Sequence, residues 1–278
     1  MIVLGILFGL ILGLMAGTII ANRRRKSSYL SSTEFWVFQP GVTLPPQEAI
    51  MHRMLADNPY GKRGVSPVGP QEGILFSDIR THIALVLKSK NPHAFRGDLF
   101  VEVAEPTPEQ LELIHASESL SKVRYVSETP LPDKRHLTFT THASDAIAEL
   151  SDAKLIYDVA AERLWDRDAF EEQLRKDPTG TGPAMHVRSI WKSTAWGGVV
   201  ETRGLSKIGV RDLVSTEVPA DQRVIVLEVL DAAARLIWEC GSVSDPMEIS
   251  AFDDAFRLKP MPVKDGRIPV RILRVQAT

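Results

Sequence analysis

The first 21 residues contain no Asp, Glu, Lys or Arg, and no polar side interrupts them. At about 1.5 Å rise per residue they correspond to a helix of roughly 31 Å, close to the ~30 Å hydrocarbon core of a bilayer. A helix in the core of a water-soluble protein normally keeps one polar face. The pattern therefore predicts a single transmembrane helix over residues 1–21.

A one-sided cluster of cations follows this stretch directly, formed by Arg23, Arg24, Arg25 and Lys26. Positive charge on one flank places that flank in the cytoplasm. We therefore expect these four side chains to contact lipid headgroups, with the N-terminus outside and the soluble part cytoplasmic. A cleaved secretory signal, the alternative, would carry its charge before a shorter apolar region.

Four glycines recur at every fourth position of the apolar stretch: Gly5, Gly9, Gly13 and Gly17. Small residues at this spacing let two helices approach closely in lipid. The stripe predicts helix packing and a homo-oligomer formed through this segment. The alternative is that glycine is simply frequent in membrane helices.

The composition of the whole chain is that of a globular protein, with 44% apolar and 24% charged residues in 278. The single cysteine, Cys240, excludes an internal disulfide framework. Four of the 33 Lys and Arg lie in the 23–26 cluster, so the remainder is mildly acidic against 35 Asp and Glu. We expect no nucleic-acid partner, because such proteins need a basic face. No nucleotide-binding, zinc or nucleophile motif occurs, and no cofactor or metal is predicted.

Four segments are expected along the chain. Residues 1–21 form the membrane helix, and residues 22–34 form a basic and serine-rich tether. Residues 35–73 form an N-terminal extension that ends in a long loop rich in proline and glycine. Residues 74–278 form a soluble α+β domain built on a mixed sheet.

The sequence of residues 99–158 predicts alternating strands and helices. Strands are expected at 99–103, 123–126, 137–140 and 154–158, and helices at 108–120 and 143–150. Strand, helix, strand, strand, helix, strand is the ferredoxin-like order. Further along, residues 187–191 and 198–202 predict paired strands, Pro219 begins a long helix that Gly241 ends, and residues 268–275 predict an edge strand.

Histidines and a carboxylate form the first candidate for chemistry. His136 and His142 bracket a predicted strand, Asp145 follows, and His186 lies further along. Two imidazoles and a carboxylate can hold a metal ion, and the same histidines are the candidate catalytic groups of a hydrolase. The alternative is that these are histidines at the surface or at strand ends.

A second candidate site is Arg203, Lys207 and Arg211, at a spacing of four. On a helical turn they would share one face and hold a carboxylate, a phosphate or an acidic partner. The alternative is a solvated turn in which Arg203 or Arg211 pairs with Glu201 or Asp212. Trp191 and Trp196 flank a turn and indicate a binding surface if exposed, or the core if buried.

Two stretches carry a resemblance. They are residues 135–150, with 157–158 and 164–165, and residues 202–213 followed by a long helix. Together they resemble a loose group of uncharacterised bacterial α+β domains. The resemblance implies a bacterial source and an inner membrane, and it brings no activity and no catalytic residues.

Two functions from different classes follow from these features. The leading hypothesis is a membrane-tethered cytoplasmic module that binds a protein partner or helps to assemble an envelope complex. The alternative is a membrane-anchored enzyme, a hydrolase using the histidines.

Overall fold

A computed structural model describes residues 30–56 and 80–275 of the protein. The strands β1 to β11 are Ser31–Gln39, Thr81–Leu87, Ser119–Ser127, Leu155–Asp158, Arg163–Asp166, Arg188–Thr194, Gly197–Arg203, Leu213–Val218, Met247–Ala251, Asp254–Pro260 and Ile268–Val275. The helices α1 to α7 are Gln47–Ala56, Asp98–Ala104, Pro108–Ala116, Arg135–Leu150, Arg167–Lys176, Pro183–His186 and Arg223–Cys240. Short 3-10 helices are Pro92–Phe95, Leu205–Ile208 and Ala220–Gln222.

The protein is α+β and contains two sheets. The first sheet has the strand order β2-β3-β1-β4-β5, and all its pairs are antiparallel. The second sheet has the order β6-β7-β8-β11-β10-β9 and is antiparallel except for the parallel pair β8 and β11. Strands β6 and β9 therefore form its edges.

Successive side chains of a strand point to opposite faces of the sheet, and helices pack on the apolar faces. On β1, Phe35 and Val37 face the core shared with α1, α4 and α5, whereas Phe38 faces the core shared with α2 and α3. Helix α7 packs on the second sheet, and its buried residues, such as Leu230 and Trp238, contribute to the core there. The first sheet thus lies between helices on both faces.

The ferredoxin-like order predicted for residues 99–158 is wrong. The expected strand at 137–140 is part of the helix α4, which is buried from His136 to Ala148 on every side. Its hydroxyls bond back to helix carbonyls, as Thr140 does to His136 at 3.0 Å and Ser144 to Thr140 at 2.7 Å. A helix buried all round shows no apolar stripe, so its period is absent from the sequence.

The expected strand at 99–103 is also a helix, α2. Phe100 and Ala104 are its buried residues, four positions apart, while Leu99 and Val101 are about half exposed, at 47% and 52%. Phe100 contacts the rings of Trp36 and Tyr157, with centroid distances of 6.4 and 5.0 Å. The composition of this segment favours a strand, but the packing of Phe100 against these rings stabilises a helix instead.

The N-terminal part of the chain is integral to the first sheet. Strand β1 begins at Ser31, within the predicted tether 22–34, and lies between β3 and β4. Helix α1, from the predicted extension 35–73, packs Ile50 and Met54 into the core under the same sheet. No membrane anchor is needed to place these elements, because sheet pairing positions them.

The prediction of a single-pass inner-membrane protein is corrected. Within residues 30–56 and 80–275, no helix is both apolar enough and long enough to cross a bilayer. The stretch 1–21, with Gly5, Gly9, Gly13 and Gly17, lies outside the described residues, as does the cluster 23–26. The expected cytoplasmic orientation and lipid contacts therefore have no support in the structure.

The long helix predicted from Pro219 is confirmed as α7, which Gly241 ends with a positive φ of 73°. The paired strands around residues 187–202 are confirmed as β6 and β7. The edge position predicted for the strand at 268–275 is wrong: β11 lies between β8 and β10 in the second sheet. Its parallel pairing with β8 covers only two residues, one of which is Pro269.

Candidate functional site

The three predicted histidines hold backbone carbonyls. His136 and His142 lie on α4 and His186 on α6, and all three are buried. Each directs its Nε2 atom to a carbonyl oxygen, at 3.0, 2.9 and 2.7 Å respectively. The acceptors are Lys207, Pro178 and Gly180. These imidazoles connect α4 and α6 to neighbouring loops, and the hydrolase hypothesis stays a prediction.

The predicted carboxylate, Asp145, is placed among arginines. Its side chain is 3.6 Å from Arg53 and 3.9 Å from Arg167. Burial raises the pKa of Asp145, and the two positive charges oppose that shift. Within the part of the chain that the structure describes, no group of three or more His, Cys, Asp or Glu is placed to hold a metal ion.

A buried ionic network joins the two sheets. The Lys207 ammonium, on the 3-10 turn after β7, forms an ion pair with Asp158 on β4, and both side chains are fully buried. The same ammonium lies 3.0 Å from His186 Nδ1 and 5.1 Å from the centre of the Phe35 ring. Because an ammonium only donates, His186 Nδ1 accepts and its proton is on Nε2, facing Gly180.

The protonation states of this network follow from burial. Desolvation lowers the pKa of Lys207, and Asp158 counteracts this by favouring the charged ammonium. Desolvation, followed by the Lys207 charge, holds the pKa of His186 well below its usual value. Desolvation lowers the pKa of His136 to about 4. The network is therefore one buried ion pair with two neutral imidazoles, and it connects the two sheets.

The three cations predicted to share one face do not do so. The segment is the end of β7, a 3-10 turn and a loop rather than a helix. Arg203 is buried and pairs with Glu201 and, at 2.9 Å, with Glu162. Lys207 points into the protein, and Arg211 is exposed. Their role in ligand binding stays a prediction, and the pairing of Arg203 with Glu201 is confirmed.

Asp177 organises the loop between α5 and α6. Its carboxylate accepts the backbone N–H groups of Thr179, Thr181 and Gly182 at 3.1, 3.0 and 2.6 Å. Trp238 Nε1 donates to the Thr181 carbonyl at 2.8 Å, which fastens the loop to α7. The glycine and proline residues of this loop are thus held in one conformation.

Replacing Asp177 with alanine is expected to destabilise the protein by about 1–2 kcal/mol, because three N–H groups lose a charged acceptor. Asp177→Asn keeps one side-chain carbonyl oxygen as an acceptor, so we expect a smaller loss of unfolding free energy. Urea unfolding of the wild type and the two variants measures whether their stabilities follow this order. Equal stability of all three would show that the loop does not depend on this side chain.

An open cleft lies along the outer edge of β6. It is bounded by residues 188–192 of β6, residues 223–231 of α7, Val103 at the end of α2 and Arg163 on β5; we call it the β6 cleft. Its two adjoining parts, which share Arg188, Ser189 and Leu227, have volumes of about 130 and 450 Å³. The larger part is in the size range of ligand sites.

The backbone of β6 offers unused hydrogen-bonding groups to this cleft. Within the described residues, β6 has a strand neighbour on one side only, β7. The Ser189 N–H points outward, because it donates to Asp231 on α7 at 2.8 Å. Residues of an antiparallel pair alternate between inward and outward backbone groups. The N–H and C=O groups of Trp191 and Ser193 therefore also face outward.

Two arginines lie at the start of β6. Arg188 donates to the carbonyls of Ala161 and Val103 at 3.0 and 2.9 Å, and Arg163 donates to that of Ala184 at 2.9 Å. Burial lowers the pKa of both, and the Arg188 charge lowers the pKa of Arg163 further. Both remain guanidinium ions at neutral pH. Two like charges thus face the same cleft.

Tryptophans mark the other end of β6. Trp191 is half-buried, with the guanidinium of Arg223 lying 5.6 Å from its ring centre. Trp196, in the turn that follows, is 96% exposed. Of the two tryptophans predicted to form either a binding surface or core, Trp196 is at the surface, and Trp191 lines the β6 cleft.

The residues of the β6 cleft are not singled out by sequence patterns. They come from elements that are distant in sequence: Arg163 is on β5, Ser189 on β6 and Val224 on α7. The available signal is the strand 187–191 itself, with Trp191 beside two cations. No motif spacing connects it to Arg163, which lies beside Arg188 only in the tertiary structure.

Comparison of the chain with protein-family models, with curated proteins and with solved structures gives no significant match.

Proposed function

We propose that this protein is a binding module that takes up an extended peptide segment of a partner by strand addition at the edge of β6. The observation that carries the proposal is the edge position of β6, which among the described residues pairs with β7 alone and borders the β6 cleft through residues 188–192. Exposed strand edges are templates for such pairing, and pockets beside them read alternate side chains.

The surroundings of the edge support a protein partner. Val224 on α7 and Trp196 in the turn after β6 are apolar and exposed, at 64% and 96%. Arg223 and Lys192 add positive charge to the same cleft. Aromatic, apolar and arginine side chains around a concave site are typical of peptide-binding surfaces.

A proline at Ser193 is expected to abolish peptide binding while leaving the fold intact. Proline removes the outward N–H and places its ring at the edge, and proline is tolerated on edge strands where the N–H faces solvent. Ser193→Ala is the matched control, because both variants lose the 3.0 Å hydrogen bond from Trp191 Nε1. Circular dichroism verifies that both variants are folded.

The probe is a displayed library of short random-sequence peptides with free C-termini, selected on the wild-type protein. Peptides enriched on wild type should bind Ser193→Pro about tenfold or more weakly and Ser193→Ala unchanged, as judged by calorimetry. The proposal is overturned if no peptide is enriched on wild type over Ser193→Pro.

A further inference from the structure

We propose that the β6 cleft binds the C-terminal carboxylate of the added peptide on Arg163 and Arg188, an inference that rests on the proposed strand addition. The site therefore selects the free end of a partner chain rather than an internal segment.

The first argument is unbalanced charge. Arg163 and Arg188 are half-buried, and the hydrogen bonds they make go to neutral backbone carbonyls of Ala184, Ala161 and Val103. Among residues 30–56 and 80–275, neither guanidinium forms an ion pair within 4.0 Å. Burial lowers the pKa of both arginines although nearby carboxylates, among them Asp231 for Arg163 and Glu105 for Arg188, favour the charged forms. A carboxylate held between the two guanidinium groups supplies the direct ion pair that they lack.

The second argument is an unused hydroxyl. Ser189 lies between the two parts of the β6 cleft, and its Oγ atom is buried without a hydrogen-bond partner among the described residues. A serine hydroxyl both donates and accepts. It is available to donate to a carboxylate oxygen held beside Arg188, the residue that precedes it.

The third argument is direction. An added strand that runs antiparallel to β6 has its C-terminus at the beginning of β6, where Arg188 lies. The outward backbone groups at Trp191 are three residues further on, roughly 10 Å along a strand. The Ser189 N–H is already occupied by Asp231. Pairing at Trp191 and Ser193 therefore leaves the last peptide residues to reach the arginines.

The walls of the β6 cleft indicate what the last peptide side chain is. Val224 and Leu227 of α7 offer apolar contacts near Arg163, whereas Glu228 and Asp231 on the same helix are negative. Acidic side chains at the end of the peptide would meet those carboxylates. We expect an apolar C-terminal residue, with only the terminal carboxylate negative.

The test compares each selected peptide as a free acid, as a C-terminal amide, and extended by Gly-Gly. On wild-type protein the amide and the extended form are expected to bind about tenfold or more weakly than the free acid, since hydrogen bonds to a charged partner are lost or displaced. No protein variant is needed for this comparison, so folding does not affect it.

A double-mutant comparison assigns the carboxylate to the arginines. In Arg163→Gln, the free acid should lose about tenfold in affinity, while amidation should then cost little, because its partner is absent. Arg271→Gln, an exposed position on β11, is the control and should retain the full amidation effect. Arg188→Lys is a second variant, which keeps the charge and loses the paired donors.

The outcomes separate the two proposals. If peptides are enriched and bind Ser193→Pro more weakly than Ser193→Ala, but bind equally as acid and amide, strand addition stands and the carboxylate site is wrong. If the Gly-Gly extension binds as well as the free acid, binding does not require the chain end at this position, and the end-selective site is again wrong. If no peptide is enriched, strand addition itself fails.

Discussion

Lys207→Met is expected to destabilise the protein by about 3–5 kcal/mol, because it leaves a buried carboxylate without its partner. The Asp158 side chain is fully buried, and its remaining hydrogen bond is the Ala161 N–H at 3.1 Å. The variant also removes the donor that faces His186 Nδ1. Urea unfolding monitored by circular dichroism measures the loss of free energy.

Two controls make this result specific to the ion pair. Arg211→Met removes a cation from the same segment at an exposed position, and its effect should be within about 0.5 kcal/mol. Lys207→Met combined with Asp158→Asn removes both charges and should recover part of the loss, since no charge is then buried alone. A single Lys207→Met variant as stable as the wild type would show that the ion pair does not hold the two sheets together.

Acidification from pH 7 to pH 4 is expected to remove about 3 kcal/mol of stability through His136 alone. Burial lowers the pKa of His136 to about 4, whereas an unfolded histidine titrates near 6.5. Between these values the unfolded state binds more protons, so stability rises with pH through the window and is lost as pH falls through it. The pKa of His186 is lowered in the same direction.

The structure explains why a proton at His136 is unfavourable. Its Nε2 atom already donates to the Lys207 carbonyl, and its Nδ1 atom is buried without a partner among the described residues. A second proton would create a buried charge and an unsatisfied N–H. The imidazole also contacts the ring of Tyr125, with ring centres 4.8 Å apart.

The measurement is the free energy of unfolding of wild type and His136→Gln at several pH values. The glutamine amide keeps a donor for the Lys207 carbonyl and does not titrate. The wild type should lose about 3 kcal/mol more than the variant between pH 7 and pH 4. Parallel curves over that range would contradict the buried neutral state of His136.

Several elements of this fold are determined by local sequence. Helix α7 shows its apolar side at helical spacing and ends at Gly241, which adopts the left-handed conformation that glycine permits. The hairpin of β6 and β7 follows from two β-prone runs around Gly197. In both cases the signal and the structure depend on neighbours a few residues apart, so periodicity is sufficient.

Other features depend on tertiary contacts. Helices α2 and α4 were expected to contain strands, and their true period comes from Phe100 packing on aromatic rings and from the burial of α4 on all sides. Lys207 was expected to bind a ligand, yet it pairs with Asp158, a residue 49 positions away. A pattern of cations specifies charge and spacing but not which carboxylate folding brings near.

The β6 cleft shows the same division. The sequence alone indicated β6 as a strand and Trp196 as one of two tryptophans at a turn. Only the tertiary structure, in which α7 packs against β6 and Arg163 of β5 lies beside them, places Arg163, Ser189 and Leu227 around a common space. Residues that meet through tertiary packing have no fixed spacing in the chain, because their distance is set by the sheets and helices between them.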